Sequence, residues 1–363
     1  MIDRIQLREI DGILIGLLLI NSLFGVALIY SASHYVPGNF FLKQLLWIFV
    51  SLVVLFIVIA IDYKTLLAYS PYFYVLLVLI LLGLLVYGRA ISGAKSWVRI
   101  AFLGGQPSEL AKIAVLLVLA RIFSEFRRPY LTTGFAILSA APVFLLMGLI
   151  ALQPDLGTAI TYLPLLFASF VLAGLRKKTL VVFLVLTLAV GLAGWSLVLK
   201  DYQKKRLTTL VNPSRDPRGS GYHILQSKIA IGSGGFFGKG YKKGTQSQLK
   251  FLPARHTDFI FSVLGEEFGF AGVALVFLSY FLFLARLFKT VPKSRDRPGM
   301  YIVFMAACWI TFQFLINVMM IVGLFPITGI PIPLLSYGGS SILTTFIAVG
   351  LVLNVKMRRF ANV

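Results

Sequence analysis

Leu252-Pro253-Ala254-Arg255-His256-Thr257-Asp258-Phe259 ends a basic loop that begins near Lys200, and it delivers a carboxylate to the edge of a long apolar segment. Apolar stretches of membrane-spanning length lie on both sides of this loop. Joining two helices takes only a few residues, so a polar connection this long has another task. It is rich in Gly, Lys and Arg. The arrangement points to a site at a membrane surface that holds an anionic substrate and moves a proton.

Composition agrees with the membrane setting. Of 363 residues, 58% are hydrophobic and 13% charged, and the mean hydropathy is +0.90. A soluble domain carries about a quarter charged residues. The expected fold class is an all-α polytopic membrane protein, a single membrane domain over 1–363. The net charge of +21 would suggest nucleic-acid binding in a soluble protein. Here topology accounts for it, because Lys and Arg collect in cytoplasmic loops, and no nucleic-acid partner is expected. The lone cysteine, Cys308, excludes an intrachain disulfide and a Cys-rich metal site, and it reads as core packing. The first apolar segment lacks a small-residue cleavage site, so it reads as a retained anchor.

A crossing of the hydrocarbon core takes about 20 apolar residues, and about ten segments qualify. They lie near 12–30, 44–61, 72–87, 107–123, 134–152, 156–175, 179–199, 259–287, 301–323 and 339–355. The large loop thus falls between the seventh and eighth. An even number places both termini on one side. Arg127 and Arg128, Arg176 to Lys178, Lys293, Arg295, Arg297, Lys356, Arg358 and Arg359 mark that side as cytoplasmic. Two connections on the opposite side break the rule. One is 88–106, with Arg89, Lys95 and Arg99. The other is the large loop, with Lys200, Lys204, Lys205, Arg206, Arg215, Arg218, Lys228, Lys239, Lys242, Lys243, Lys250 and Arg255. Long loops cross regardless of charge; the sharper reading is that these cations meet phosphates. Inside the loop, Tyr222, Leu225 and Ile229 recur at helical spacing until Gly232-Ser233-Gly234-Gly235 stops the pattern. This predicts a short interfacial amphipathic helix followed by a Gly-rich turn.

Four constellations could carry chemistry. Asp258 reads as a general base, or equally as the cap of the next helix; Arg255 and His256 beside it favour the base. Glu109 and Lys112, in Gln106-Pro107-Ser108-Glu109-Leu110-Ala111-Lys112, share a face of the fourth helix. Charges inside a membrane helix face a cavity or one another. Asp155, in Gln153-Pro154-Asp155-Leu156-Gly157-Thr158, suits either a cap or an outer cavity, where it could hold a basic residue or a divalent cation (Mg or Mn). The run Pro326 to Ser341 contains Pro326, Pro331 and Pro333 and cannot be one helix. Irregular backbone at membrane depth is tolerated where it lines a wet cavity. There Ser336 and the pair Gly338-Gly339 could let a lipid-linked group come close. Gly234 to Gly240 fails as a nucleotide loop, because Ser233 and Gly240 stand where Gly and Ser or Thr are needed. His34, His223 and His256 lack metal-ligand spacing.

Taken together these segments resemble the SEDS family of bacterial cell-wall proteins over nearly the whole chain. The most specific part runs from Asn212-Pro213-Ser214-Arg215-Asp216-Pro217 to Gly265-Glu266-Glu267. Within it, Gly244-Thr245-Gln246-Ser247-Gln248-Leu249 and Phe251 to Phe261 are similar to the elongation branch. Gly93-Ala94-Lys95-Ser96-Trp97 matches too, with Trp97 at the family's aromatic position. Ala254 departs from relatives that carry Glu. The resemblance implies a peptidoglycan glycosyltransferase in the bacterial inner membrane, serving cell shape. It would polymerise lipid II at the outer face and work with a class B penicillin-binding protein and other cell-shape proteins. The family's essential aspartate maps onto Asp258, and its cavity charges onto Glu109, Lys112 and Asp155.

That chemistry suits the residues. An undecaprenyl pyrophosphate leaving group needs positive charge more than a proton. Asp258 would take the proton of the acceptor hydroxyl, while Arg255, Lys239, Lys112 or a divalent metal steadies the leaving pyrophosphate. His256 and Trp97 complete the expected substrate contacts. A flippase for lipid-linked precursor and a non-catalytic scaffold for the penicillin-binding partner are the alternatives. The gathering of ionisable residues at one face argues against the flippase.

Overall fold

The computed structural model describes residues 9–34, 36–88, 98–100, 103–182, 185, 208–210, 216, 219–249 and 251–360. Its elements are almost all helical. In chain order they are α1 (Gly12–Ser33), α2 (Phe40–Ala60), α3 (Tyr63–Tyr87), β1 (Val98–Ile100), β2 (Leu103–Gly105), α4 (Pro107–Ser124) and α5 (Thr133–Leu152). Then follow α6 (Leu156–Ile160), α7 (Leu163–Leu172), α8 (Ser220–Ser233), α9 (Thr245–Gln248), α10 (Ile260–Phe288), α11 (Arg297–Ile321) and α12 (Gly339–Met357). Among the described residues, 7 helices are long and apolar enough to cross a membrane: α1, α2, α3, α5, α10, α11 and α12.

Aspartates start several of these helices. Asp11, Asp62, Asp155 and Asp296 each accept a backbone N–H from the first turn of α1, α3, α6 and α11. Each cap satisfies a donor that the helix itself leaves unpaired. Pro107 opens α4, where its missing N–H costs nothing.

The expected segments differ from the observed ones in instructive places. The third extends back to Tyr63, so it spans 25 residues and is not short. The sixth divides into α6 and α7 at Thr161 and Tyr162. The helix expected within the large loop appears as α8 and stops at Gly234. The antiparallel pair β1–β2 was not foreseen. Most of the seventh apolar segment (179–199) falls outside the described residues, as do Asn212–Arg215, Arg89, Lys95, Trp97, Lys200, Lys204, Lys205, Arg206, Arg218 and Lys250; of Arg99 only the backbone is described.

Burial sorts the helices into layers. Of the apolar window of α12, 83% is buried, against 61% for α11 and 17% for α3. In α4 every residue from Ala111 to Leu117 is buried. So α4, α11 and α12 form the centre, while α3 turns Tyr72 and Leu79 outward. In lipid the packing of helices rests on close van der Waals fit and interhelical hydrogen bonds. Gly350 shows this: a Cβ there would lie 3.3 Å from the Leu55 carbonyl oxygen, and Asn354 Nδ2 donates to Val58 O at 2.6 Å.

A kink in α10 anchors the large loop. Gly269 has φ +63, outside the helical region. The break frees backbone groups, and the Gly-rich turn after α8 satisfies them. Phe270 N donates to Gly235 O and Ala271 N to Phe236 O, each at 2.9 Å. Lys239 N and Gly240 N donate to the carbonyls of Glu266 and Glu267, each at 3.0 Å. Gly238 has φ +80, and a Cβ on it would collide with the Glu267 carbonyl, so only glycine permits this docking.

Candidate functional site

Asp258 stands half-buried at the end of a turn just before α10. Ala254, at φ +47, makes that turn, and its carbonyl accepts Thr257 N at 3.1 Å and Phe259 N at 3.3 Å. Two further bonds fix the segment. Asn317 Nδ2, from α11, donates to Asp258 O at 3.1 Å and to Ile330 O at 2.6 Å. Tyr337 N donates to His256 O at 2.9 Å. The proline-containing segment 326–338 is thereby stitched to the turn that carries Asp258. The Asp258 carboxylate itself faces Gly329, whose Cβ position would be 3.7 Å from Oδ2.

The same segment reaches the second cluster. Thr328 lies so close to Gly157 that a Cβ on Gly157 would strike its carbonyl oxygen. Two residues before Gly157, Asp155 caps α6 through Oδ1 and accepts Gln106 Nε2 on Oδ2 at 2.6 Å. Gln106 Nε2 also reaches Thr158 Oγ1 at 3.3 Å, and Gln106 N donates to Ser340 Oγ at 2.8 Å. One turn into α4, Lys112 Nζ meets Glu109 Oε1 at 2.6 Å, with the lysine side chain wholly buried. The Trp309 ring centroid is 5.1 Å from that ammonium. Glu109 Oε2 is buried with no hydrogen-bond partner among the described residues. Gln106 therefore links the start of α4, through its carbonyl to Glu109 N at 3.0 Å, to Asp155, and the chain from Asp155 to Gly157 meets Thr328, next to the Gly329 that faces Asp258.

Other expected contacts have different surroundings. Arg255 is 3% exposed and turns inward; its Nη1 donates to the carbonyls of Ser247 and Gln248. Lys239 Nζ is held by Glu266 Oε1 at 2.9 Å and Thr245 Oγ1 at 2.8 Å. Ser336 Oγ accepts Ile332 N at 2.9 Å and thus closes a turn. The close approach that Gly339 allows is made by the Trp47 indole, while a Cβ on Gly338 would meet Ser341 Cβ at 3.5 Å, an ordinary contact. His256 packs against Phe40, with centroids 4.5 Å apart. Burial, and then the neighbouring Arg255 charge, hold its pKa below the ordinary histidine value. Trp97 lies outside the described residues.

Several residues that shape the site were not among those expected from the sequence. Gln44 is fully buried and clamps the proline-containing segment, donating to Ser336 O and accepting from Gly338 N, each at 3.2 Å. Asn317 and Trp309 sit within an apolar helix. A polar side chain in such a helix is costly unless it finds partners, which is the signal that could have marked Gln44 and Asn317.

Comparison with known proteins places this arrangement. A family model described as cell cycle protein, covering FtsW, RodA and SpoVE, matches residues 11–360. The peptidoglycan glycosyltransferase MrdB of Escherichia coli K12 is 36% identical over 360 residues, covering 98% of this chain and 95% of that one. The peptidoglycan glycosyltransferase RodA of Treponema pallidum is 34% identical, covering 97% and 98%. Among solved structures, a chain studied for the coordination of polymerization and crosslinking by a peptidoglycan synthase complex superimposes with a TM-score of 0.84. It is 32% identical and covers 97% of this chain and 99% of its own. The rod shape determining protein RodA of Thermus thermophilus gives a TM-score of 0.73 at 29% identity, covering 97% and 98%; an aspartate-to-alanine variant of it matches equally.

Proposed function

The chain belongs to the FtsW, RodA and SpoVE cell cycle protein family, the SEDS family, and we infer that it is a peptidoglycan glycosyltransferase that lengthens glycan strands from lipid II. The observation that carries the mechanism is that Asp258 and the Asp155–Gly157 stretch meet one segment at Gly329 and Thr328, while Gln106 ties Asp155 to the helix that holds the buried Glu109–Lys112 pair. It puts two carboxylates, Asp258 and Asp155, beside neighbouring residues of one irregular segment, with the buried Lys112 on the helix that Gln106 ties to Asp155. In lipid, such a segment is tolerated where protein buries it or where it lines a wet cavity.

In this reading the acceptor sugar's hydroxyl sits against Asp258. The carboxylate takes the hydroxyl proton as the oxygen attacks the donor's anomeric carbon. The new C–O bond forms on the face opposite the departing oxygen, so an α-linked donor yields a β-linked product. The bond to undecaprenyl pyrophosphate breaks, and its electron pair leaves with the phosphate. Lys112 is the cation best placed to steady that charge, by exchanging its bond to Glu109 for one to the leaving group. Lys239 and Arg255 are already engaged by the loop, which gives them to its architecture. Among the described residues no three His, Cys, Asp or Glu side chains gather as metal ligands. No step here depends on a divalent cation.

The related synthase complex couples polymerisation to crosslinking. By that likeness, a class B penicillin-binding protein is the inferred partner of this chain. Asp258 would then lie at the outer face of the inner membrane and both termini in the cytoplasm. The test is polymerisation of labelled lipid II by the purified protein, with and without that partner. Long strands support the reading. Precursor crossing liposomes with no strands formed would favour a flippase instead.

A further inference from the structure

Glu266 has no part in the chemistry above, yet it is fully buried and collects an unusual set of donors. Its Oε1 accepts Lys239 Nζ at 2.9 Å, Gln246 N at 2.8 Å and Thr245 Oγ1 at 3.2 Å; its Oε2 accepts Ser247 N at 3.0 Å. Three of these four donors belong to α9. Gly244 admits the carboxylate, since a Cβ there would lie 2.6 Å from Oε2. A buried carboxylate is stable when several donors satisfy it, and only an acceptor-only group can meet all of these at once. The α10 side chain thus grips the N-terminal side of α9. The carbonyls at the other end of α9, those of Ser247 and Gln248, accept Arg255 Nη1. Arg255 stands next to Ala254, whose carbonyl makes the turn presenting Asp258.

We propose that Glu266 is a positioning residue that fixes Asp258 through α9 and Arg255. The inference rests on the reading of Asp258 as the base. The links close a ring: Glu266 to Gln246 and Ser247, Ser247 to Arg255, Arg255 to Asp258 along the chain, and Asp258 back to Glu266 through the first turns of α10. The bonds from Ser247 N to Glu266 and from Arg255 to the Ser247 carbonyl are buried, so these two joints hold a fixed geometry. It also gives the Gly-rich turn a purpose, because the turn seats Lys239 beside Glu266. Geometry at a reacting atom is worth a great deal: a displacement of about 1 Å can cost on the order of 100-fold in rate.

The test uses the full-length protein in lipid nanodiscs with its transpeptidase partner and labelled lipid II. Glu266→Gln keeps the shape but turns an amide NH2 toward backbone donors. The expected result is faster hydrogen exchange at both 245–248 and 254–259, a kcat lower on the order of 100-fold and a KM within about twofold of wild type. Loosening confined to 245–248, or a raised KM with unchanged kcat, would overturn the proposal. Should Glu266→Gln not fold, Arg255→Lys decides, since it breaks only the second joint. Exchange should then rise at 254–259 alone, with kcat reduced; normal kcat with 254–259 still protected would overturn the ring. Asp258→Asn is run in parallel. If that variant polymerises normally, the base reading fails, and with it the catalytic purpose of Glu266, while the exchange data still report whether the two segments are mechanically linked.

Discussion

The buried ion pair of Lys112 and Glu109 is the most exposed point of the account at the scale of single residues. Spacing of three on a helix put both on one face, and the structure pairs them at 2.6 Å. Removing one member of a buried pair strands the other charge and costs about 3–5 kcal/mol. Lys112→Ala should therefore lower thermal stability in detergent by that order and reduce strand synthesis. Adding Glu109→Gln to Lys112→Ala should recover much of the stability but not the turnover; recovery of both would make the pair structural. What the sequence could not show is how the surroundings of this pair assemble. Gln106 reaches Asp155, and Trp309 covers the ammonium, because α4, α6 and α11 converge from distant parts of the chain.

His256 supplies a pH test at the same scale. Its pKa lies below 6.5 through burial and the Arg255 charge. The unfolded chain thus binds a proton where the folded one does not, so stability rises with pH across that window. The contribution is complete above the ordinary value and declines as pH falls below it. Unfolding temperatures between about pH 5 and 7 should fall less steeply on acidification for His256→Asn than for the wild type. Equal slopes would remove this residue from the pH response.

At the scale of elements, the kink in α10 and the turn that fills it show both the reach and the limit of sequence reading. Periodicity in Tyr222, Leu225 and Ile229 predicts α8, and the glycines predict its end. Nothing local says that Gly234 to Gly240 folds against a break at Gly269, well along α10. That pairing is tertiary, and a positive φ inside a long apolar helix has no period to reveal it. Gly238→Ala should place a methyl group against the Glu267 carbonyl and cost about 1–3 kcal/mol. Thermal unfolding checks this, and limited proteolysis at 239–248 should become faster. The splitting of the sixth segment is different, because a local residue accounts for it: Pro164 has no N–H for the Ile160 carbonyl, so α6 ends at Ile160 and Pro164 takes its place in the first turn of α7.

Over the whole molecule, charge is divided between the two ends of the bundle. One end gathers Asp11 with Lys356 at 2.6 Å and Arg286 at 2.9 Å, joining α1, α10 and α12. Burial alone would raise the Asp11 pKa, but the hydrogen bonds from Lys356 and Arg286 outweigh it and hold it below the ordinary value of 3.8. Asp11→Asn should lower stability by about 1–3 kcal/mol, read as a drop in unfolding temperature with strand synthesis retained. The other end gathers Asp258, Asp155 and the proline-containing segment. The fold class was legible in composition and in apolar lengths. The site was legible as separate motifs, whereas their assembly depends on Gln44, Asn317 and Gly157, whose importance lies in contacts made far along the chain.

The claim on which everything else depends is that Asp258 takes the acceptor's proton. The direct measurement is the strand-length distribution made from labelled lipid II by the wild type and by Asp258→Asn, each bound to the transpeptidase partner and matched for unfolding temperature. The account predicts long strands from the first and a rate lower by about 10²- to 10⁴-fold from the second. Strands of normal length and rate from a folded, partner-bound Asp258→Asn would contradict it.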